Sequence, residues 1–185
     1  MSGLYLHSVE LGSYSNGPGK RLVIWVQGCS IGCPGCWNPE THIGGGSFTT
    51  NDQLIEVLLD SECKGITFTG GEPFDQGESV IDVGISARRL GFTSVAFSGY
   101  TYSVLVKKFG IEKISNAFDV LLTDPYREGE EFKSVAHALS RKTLTFLSPT
   151  YKTEDFLTMP PCEVFIGTDG EVRTTGLAAP FRKLI

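Results

Sequence analysis

Three of the chain's five cysteines fall within eight residues, Cys29-Ser30-Ile31-Gly32-Cys33-Pro34-Gly35-Cys36, a C-x3-C-x2-C spacing. An odd cysteine count crowded in this way favours metal or redox chemistry over a disulfide framework. Gly32 and Gly35 let the backbone bend around an inorganic core, so Cys29, Cys33 and Cys36 can each ligate one iron of a 4Fe-4S cluster. The fourth iron is then left without a protein ligand. An open coordination position admits substrate, whereas a structural site is normally saturated by protein. The same thiolates with a fourth ligand such as His42 would instead make a closed zinc site. Cys63 and Cys162, each alone in the sequence, read as small buried hydrophobes outside the cluster.

Gly70-Gly71-Glu72-Pro73 is the second candidate. Its glycines let the backbone approach a ligand closely, and its carboxylate can receive an ammonium. Alone, these four residues serve a simple turn equally well; their place directly after a predicted strand is what singles them out. Ser98 can meet a ribose hydroxyl, although a serine ending a strand is more often simply solvated. Asp124 is a weaker candidate of the same kind. Arg88-Arg89 and Lys107-Lys108 read as solvated helix faces, where an acidic electron donor could dock.

These motifs need a scaffold that delivers them to one place. Leu22-Val23-Ile24-Trp25-Val26 is a nearly unbroken apolar, β-rich run, as expected of a strand covered on both faces, and it leads straight into Gly28-Cys29. Gly65-Ile66-Thr67-Phe68-Thr69 leads likewise into the Gly-Gly-Glu-Pro loop, Thr93 to Phe97 into Ser98-Gly99-Tyr100, and Phe118 to Leu122 into Thr123-Asp124-Pro125. Thr143 to Leu147 and Glu163 to Ile166 complete six predicted strands. Thr49 to Asn51 can cap a helix bearing Leu54, Ile55 and Leu58, and a second helix carries Val80, Val83, Ala87 and Leu90. Strands alternating with helices imply right-handed crossovers, and six strands are too few for an eight-stranded barrel. The expected fold is therefore α/β: a partial, open TIM-type barrel of about six parallel strands with outer helices. One domain over 1–185 is expected, with an edge strand near 4–9 and a closing hairpin near 163–175.

A chain of 185 residues with 41% hydrophobic and 20% charged residues can bury one full core. Its net charge of −5, without a basic run, argues against nucleic-acid binding. No apolar run is long enough to cross a bilayer, and no secretory pattern opens the chain, so no membrane association and a cytoplasmic location are expected.

Gly28-Cys29-x3-Cys33-Pro34-Gly35-Cys36-Trp37-Asn38 together with Gly70-Gly71-Glu72-Pro73 resembles the radical S-adenosylmethionine superfamily, specifically the small activating enzymes of anaerobic ribonucleotide reductase. Asn16-Gly17-Pro18-Gly19, Pro39-Glu40-Thr41-His42, Phe97-Ser98-Gly99-Tyr100 and the segment Asp169-Gly170 to Thr175-Gly176 extend the likeness over nearly the whole chain. The resemblance implies one 4Fe-4S cluster on Cys29, Cys33 and Cys36. It also implies S-adenosylmethionine held at its amino group by Gly70, Gly71, Glu72 and Pro73, with Glu72 supporting the loop or the amine. Gly35, Cys36 and Trp37 would lie beside the adenine; a partly buried aromatic over the core explains Trp37 equally well. The implied reaction is reductive cleavage to methionine and a 5′-deoxyadenosyl radical, which abstracts hydrogen from a glycine of a glycyl-radical enzyme such as anaerobic ribonucleotide reductase. The electron would come from a donor such as flavodoxin or ferredoxin. A peptide or small-molecule substrate is the alternative. The family commonly carries a Gly-Ser-rich stretch ending in Asn-Gln before the fifth strand; here the chain reads Leu139-Ser140-Arg141-Lys142-Thr143.

Overall fold

Four strands of one seven-stranded sheet run parallel at its centre: β2 (Arg21–Val26), β4 (Gly65–Gly70), β5 (Thr93–Phe97) and β6 (Val120–Thr123). With β1 (Gly3–Ser13), β3 (Ser47–Thr50) and β7 (Thr143–Phe146) the full order is β3-β1-β2-β4-β5-β6-β7, an open sheet with β3 and β7 at its edges. These features come from a computed structural model that describes residues 2–127, 134–168, 170 and 172–176.

The α/β class and the open sheet agree with the sequence reading; the count of parallel strands does not. β7 is antiparallel to β6, with Thr123 opposite Thr143. A parallel return needs a crossover that carries the chain back to the opposite end of the sheet. Here the connection re-enters at the end it left, through a short helix over Val135–Leu139. β8 (Glu163–Ile166) leaves the sheet altogether and pairs antiparallel with β9 (Val172–Thr175) in a separate ribbon. Asp169 and Glu171 of the expected hairpin lie outside the described residues. β1 (Gly3–Ser13) is longer than the expected edge strand and is not at the edge. It pairs with β2 on one side and with β3, a strand the sequence pattern did not disclose, on the other.

Helices α1 (Asn51–Asp60) and α2 (Gly77–Arg89) bury their apolar stripes, Leu54 and Leu58 on one and Val80, Ile81, Val83 and Ala87 on the other. Thr50 caps α1 reciprocally with Gln53. Phe68 and Phe74 both meet Phe118 edge-on, at centroid separations of 6.2 and 5.6 Å, and lock this core. A second cluster joins Val95, Val120 and Leu122 to Val135, Leu139, Phe156 and Met159.

Register decides where the loops emerge. Val26 is level with Gly70 in the β2–β4 ladder, Phe68 with Ala96, and Phe97 with Leu122. The segments after all four parallel strands therefore open at one edge of the sheet, the edge where parallel sheets place ligands.

Candidate active site

The cysteine loop leaves β2 through Gly28, whose φ of 97° only glycine adopts freely. Gly28 N–H donates to Thr41 O at 2.8 Å, and Cys29 N–H to His42 O at 3.4 Å, so the loop's start is laid against its own return. Gly32 and Gly35, at φ 58° and 65°, make the two bends that the spacing asked of them. Cys36 N–H closes back on Cys33 O at 3.2 Å.

The Gly-Gly-Glu-Pro loop is pressed directly against this one. Gly71 N–H donates to Val26 O and Glu72 N–H to Gly28 O, both at 2.9 Å. A Cβ on Gly71 would stand 2.1 Å from Gly28 O, so only glycine permits the contact. The two loops behave as one packed unit, and a side chain placed on Gly71 disturbs the cysteine loop as well as its own.

Glu72 is 1% exposed. Its carboxylate accepts from Phe74 N–H at 3.0 Å, Ser98 Oγ–H at 2.8 Å and Gly99 N–H at 2.7 Å. Burial raises its pKa above the ordinary glutamate value, against the pull of these three donors. The Ser98 hydroxyl also accepts from Tyr100 N–H at 3.0 Å, so the serine singled out for a ribose is engaged within the protein on both counts.

Asp75, which the sequence reading passed over, ties the unit together. Its carboxylate accepts from Ser30 N–H at 2.6 Å, Ser30 Oγ–H at 2.9 Å and Tyr100 Oη–H at 2.8 Å, clamping the residue that follows Cys29. Burial raises the Cys29 thiol pKa; N–H groups of Gly32 and Ile31 oppose it, and the charges of Glu72 and Asp75 add to it.

These loops wall a cleft of about 390 Å³ that collects Cys29, Cys33, Cys36, Trp37, Gly70, Gly71, Glu72 and Ser98. Gly35 and Pro73, also singled out from sequence, are not on its wall: Gly35 is exposed on the loop, and Pro73 is buried at the head of a 3-10 turn. Trp37 stands beside Tyr126, with ring centroids 6.0 Å apart. Cys63 is buried in the core, but Cys162 lines the cleft. No sequence signal marked it, because its place depends on how the β8–β9 ribbon docks. Glu163 fixes that docking, accepting from Tyr14 N–H, Ser15 N–H and the hydroxyls of Ser13 and Ser15 at 2.6 to 3.0 Å. Asn16 Nδ2–H donates to Thr175 Oγ1 at 2.8 Å.

The donor set fits an iron-sulfur cluster. Among the described residues no three His, Cys, Asp or Glu side chains converge closely enough to hold a single metal ion. A cluster puts each thiolate on a different iron and so needs three thiols spread along a loop that faces open space. Lys142 adds a cation to the same wall. Its ammonium donates to the carbonyls of Ser98, at 3.3 Å, and Asp124. Burial lowers its pKa, opposed chiefly by the nearby Glu72 carboxylate.

A family model described as a 4Fe-4S single cluster domain matches residues 15–144. The pyruvate formate-lyase-activating enzyme of Clostridium pasteurianum is 34% identical over 127 residues, covering 64% of this chain and 51% of that protein. The anaerobic ribonucleoside-triphosphate reductase-activating protein of Escherichia coli (strain K12) is 42% identical over 64 residues, covering 31% of this chain and 42% of that protein. The chain thus spans about half the length of the curated relatives it matches. The crystal structure of QueE from Escherichia coli aligns over 55% of each chain, at 16% identity and a TM-score of 0.48.

Proposed function

Since the chain belongs to the 4Fe-4S single-cluster domain family, we propose that it is a radical S-adenosylmethionine enzyme that installs a glycyl radical on a partner protein. The zinc-stapled module read as an alternative falls with the family assignment. The observation that carries the proposal is the meeting, in one cleft, of the three thiols with the Gly70–Glu72 loop at the ends of parallel strands. Two relatives named as activating enzymes, one for pyruvate formate-lyase and one for anaerobic ribonucleoside-triphosphate reductase, support the protein-directed reading.

Cys29, Cys33 and Cys36 would hold the cluster, which supplies the electron that splits S-adenosylmethionine into methionine and a 5′-deoxyadenosyl radical. The chain's part is to bind and orient. Gly70 and Gly71 present backbone to the amino-acid end of the ligand. Glu72, with three internal donors on its carboxylate, shapes that loop and the Ser98–Gly99 turn together. Trp37 offers an apolar face to the adenine. Among the described residues the two longer helices, α1 and α2, pack against the sheet and do not line the cleft, so an inserted segment of the partner is what would exclude water from the radical. A protein glycine suits such a site, with anaerobic ribonucleotide reductase the favoured partner and a flavodoxin or ferredoxin the favoured donor.

The test is to mix the anaerobically reconstituted, reduced protein and S-adenosylmethionine with each glycyl-radical enzyme of its source organism. A glycyl doublet in electron paramagnetic resonance with one of them is the expected result. Brisk cleavage to 5′-deoxyadenosine with no doublet in any mixture would move the substrate to a peptide or small molecule.

A further inference from the structure

Lys142 stands at an unusual junction. It comes from the segment 139–143, where the sequence departs from the family pattern, and precedes the antiparallel strand β7. Its ammonium is nevertheless delivered to the ends of β5 and β6, where it binds the carbonyls of Ser98 and Asp124. Asp124 is the one non-glycine among the described residues with positive φ, at 89°, a conformation L-residues rarely adopt. That conformation is held from two sides: Asp124 N–H donates to Tyr100 O at 3.0 Å, and its carboxylate accepts from the hydroxyl of Thr143, the neighbour of Lys142. Strained backbone persists only where surrounding structure over-determines it. Here it turns a carbonyl onto a lysine.

An ammonium has three hydrogens. Two carbonyls take two, and the third has no acceptor among the described residues. The group lines the same cleft as Cys33, Cys36 and Glu72. Arg141 and Arg127 line the same cleft, whereas the carboxylate of Glu72 already holds three donors. In a chain of net charge −5, this wall collects cations.

We propose that Lys142 is a positioning residue for electron acceptance: fixed by the Ser98 and Asp124 carbonyls, its ammonium sets a positive charge beside the cysteine loop and eases one-electron reduction of the cluster held there. Adding an electron makes the thiolate-bound assembly one charge more negative, and a fixed cation in a poorly solvated wall favours that state. The electron comes from a low-potential donor, dithionite in the test below. No bond to the chain forms or breaks, and Lys142 keeps its proton. The inference rests on the cluster assigned by family and not on the identity of the partner.

The experiment is a redox titration of the reconstituted, ligand-free protein, followed by electron paramagnetic resonance. Lys142→Met should make reduction about tenfold less favourable, a fall of about 59 mV in midpoint potential for a one-electron couple. Iron and sulfide content should stay at the wild-type level. Lys142→Arg should restore most of the midpoint. Arg89→Met, which removes an exposed charge at the C-terminal end of α2, outside the cleft, should move it less than threefold, because solvent and salt screen that charge. An unchanged midpoint in Lys142→Met overturns the proposal, as does an equal fall in Arg89→Met. So does an unchanged midpoint accompanied by weakened S-adenosylmethionine binding, which would assign the ammonium to the ligand's carboxylate. A wild type that takes up no cluster is a separate failure, of the family-based reading, and is visible before any variant is made.

Discussion

Glu72 and Glu163 each gather several N–H and O–H groups onto one carboxylate, the first in the loop after β4 and the second at the start of β8. Glu72 binds its three donors at 1% exposure and its pKa is raised, because burial penalises the charge more than the donors repay. At the half-buried Glu163 burial also pushes the pKa up, but the hydroxyls of Ser13 and Ser15 and the N–H groups of Tyr14 and Ser15 outweigh it, and the pKa is lowered. One construction yields opposite electrostatic outcomes, and depth decides the sign. Glu72 holds a rigid floor at which charge is expensive; Glu163 holds a separable wall by charge itself.

The sharpest attack on the floor is Gly71→Val. Its Cβ would collide with Gly28 O, displacing the residue that leads into Cys29, and overpacking of this kind costs about 3 kcal/mol. Iron content after reconstitution should fall along with ligand binding; full cluster content with normal stability would show the two loops to be independent. Glu72→Ala comes next, since it leaves the N–H groups of Phe74 and Gly99 and the Ser98 hydroxyl without their acceptor. A loss of about 2 kcal/mol in denaturant unfolding is expected. Ligand affinity should drop while the ribbon stays docked.

Glu163→Gln is gentler. It weakens charge-assisted bonds at a half-exposed site, for about 1 kcal/mol, and acts locally. Amide hydrogen exchange should quicken over Val172–Thr175 with little change in β2 and β4. A global loss of stability instead would mean that the ribbon belongs to the core.

The smallest effect is the most direct test of the contrast. Glu163 has a folded pKa below the ordinary 4.5, so its stabilisation is complete above that value and is lost as pH falls through the folded pKa. Glu72 has a folded pKa above 4.5, so its charge burdens the folded state increasingly as pH rises from 4.5 through the folded pKa. Carbon NMR of the two side-chain carboxyls should show midpoints displaced in opposite directions, and midpoints on the same side would end the comparison.

The same division separates what could be read early from what could not. The floor was legible in β2, β4 and β5 because β-rich runs, nearly unbroken and apolar in β2, lead within two residues into glycines, and both properties are local. The hairpin near 163–175 is legible from its turn residues, but Glu163–Ile166 also counts as a sixth sheet strand on composition, because nothing local says that it pairs with Val172–Thr175 alone. β3 escaped notice because Ser47–Thr50 is short and half polar, and its pairing with Gly3–Leu6 is set by the distant edge it completes. Asp75 lay beyond the recognised motif, and its role exists only because the cysteine loop returns to it.

The sequence by itself determined the crowding of three cysteines into one loop, the glycines that bend that loop, and the succession of strand, loop and helix. Each of these follows from backbone dihedrals and side-chain periodicity over a few consecutive residues. Only the tertiary structure decided that β7 runs backwards, that Cys162 and Lys142 reach the cleft, that Gly71 must be glycine against Gly28, and that two glutamates take opposite charge preferences. Those properties depend on register and burial between segments far apart in the chain, and neither is written in the residues that carry them.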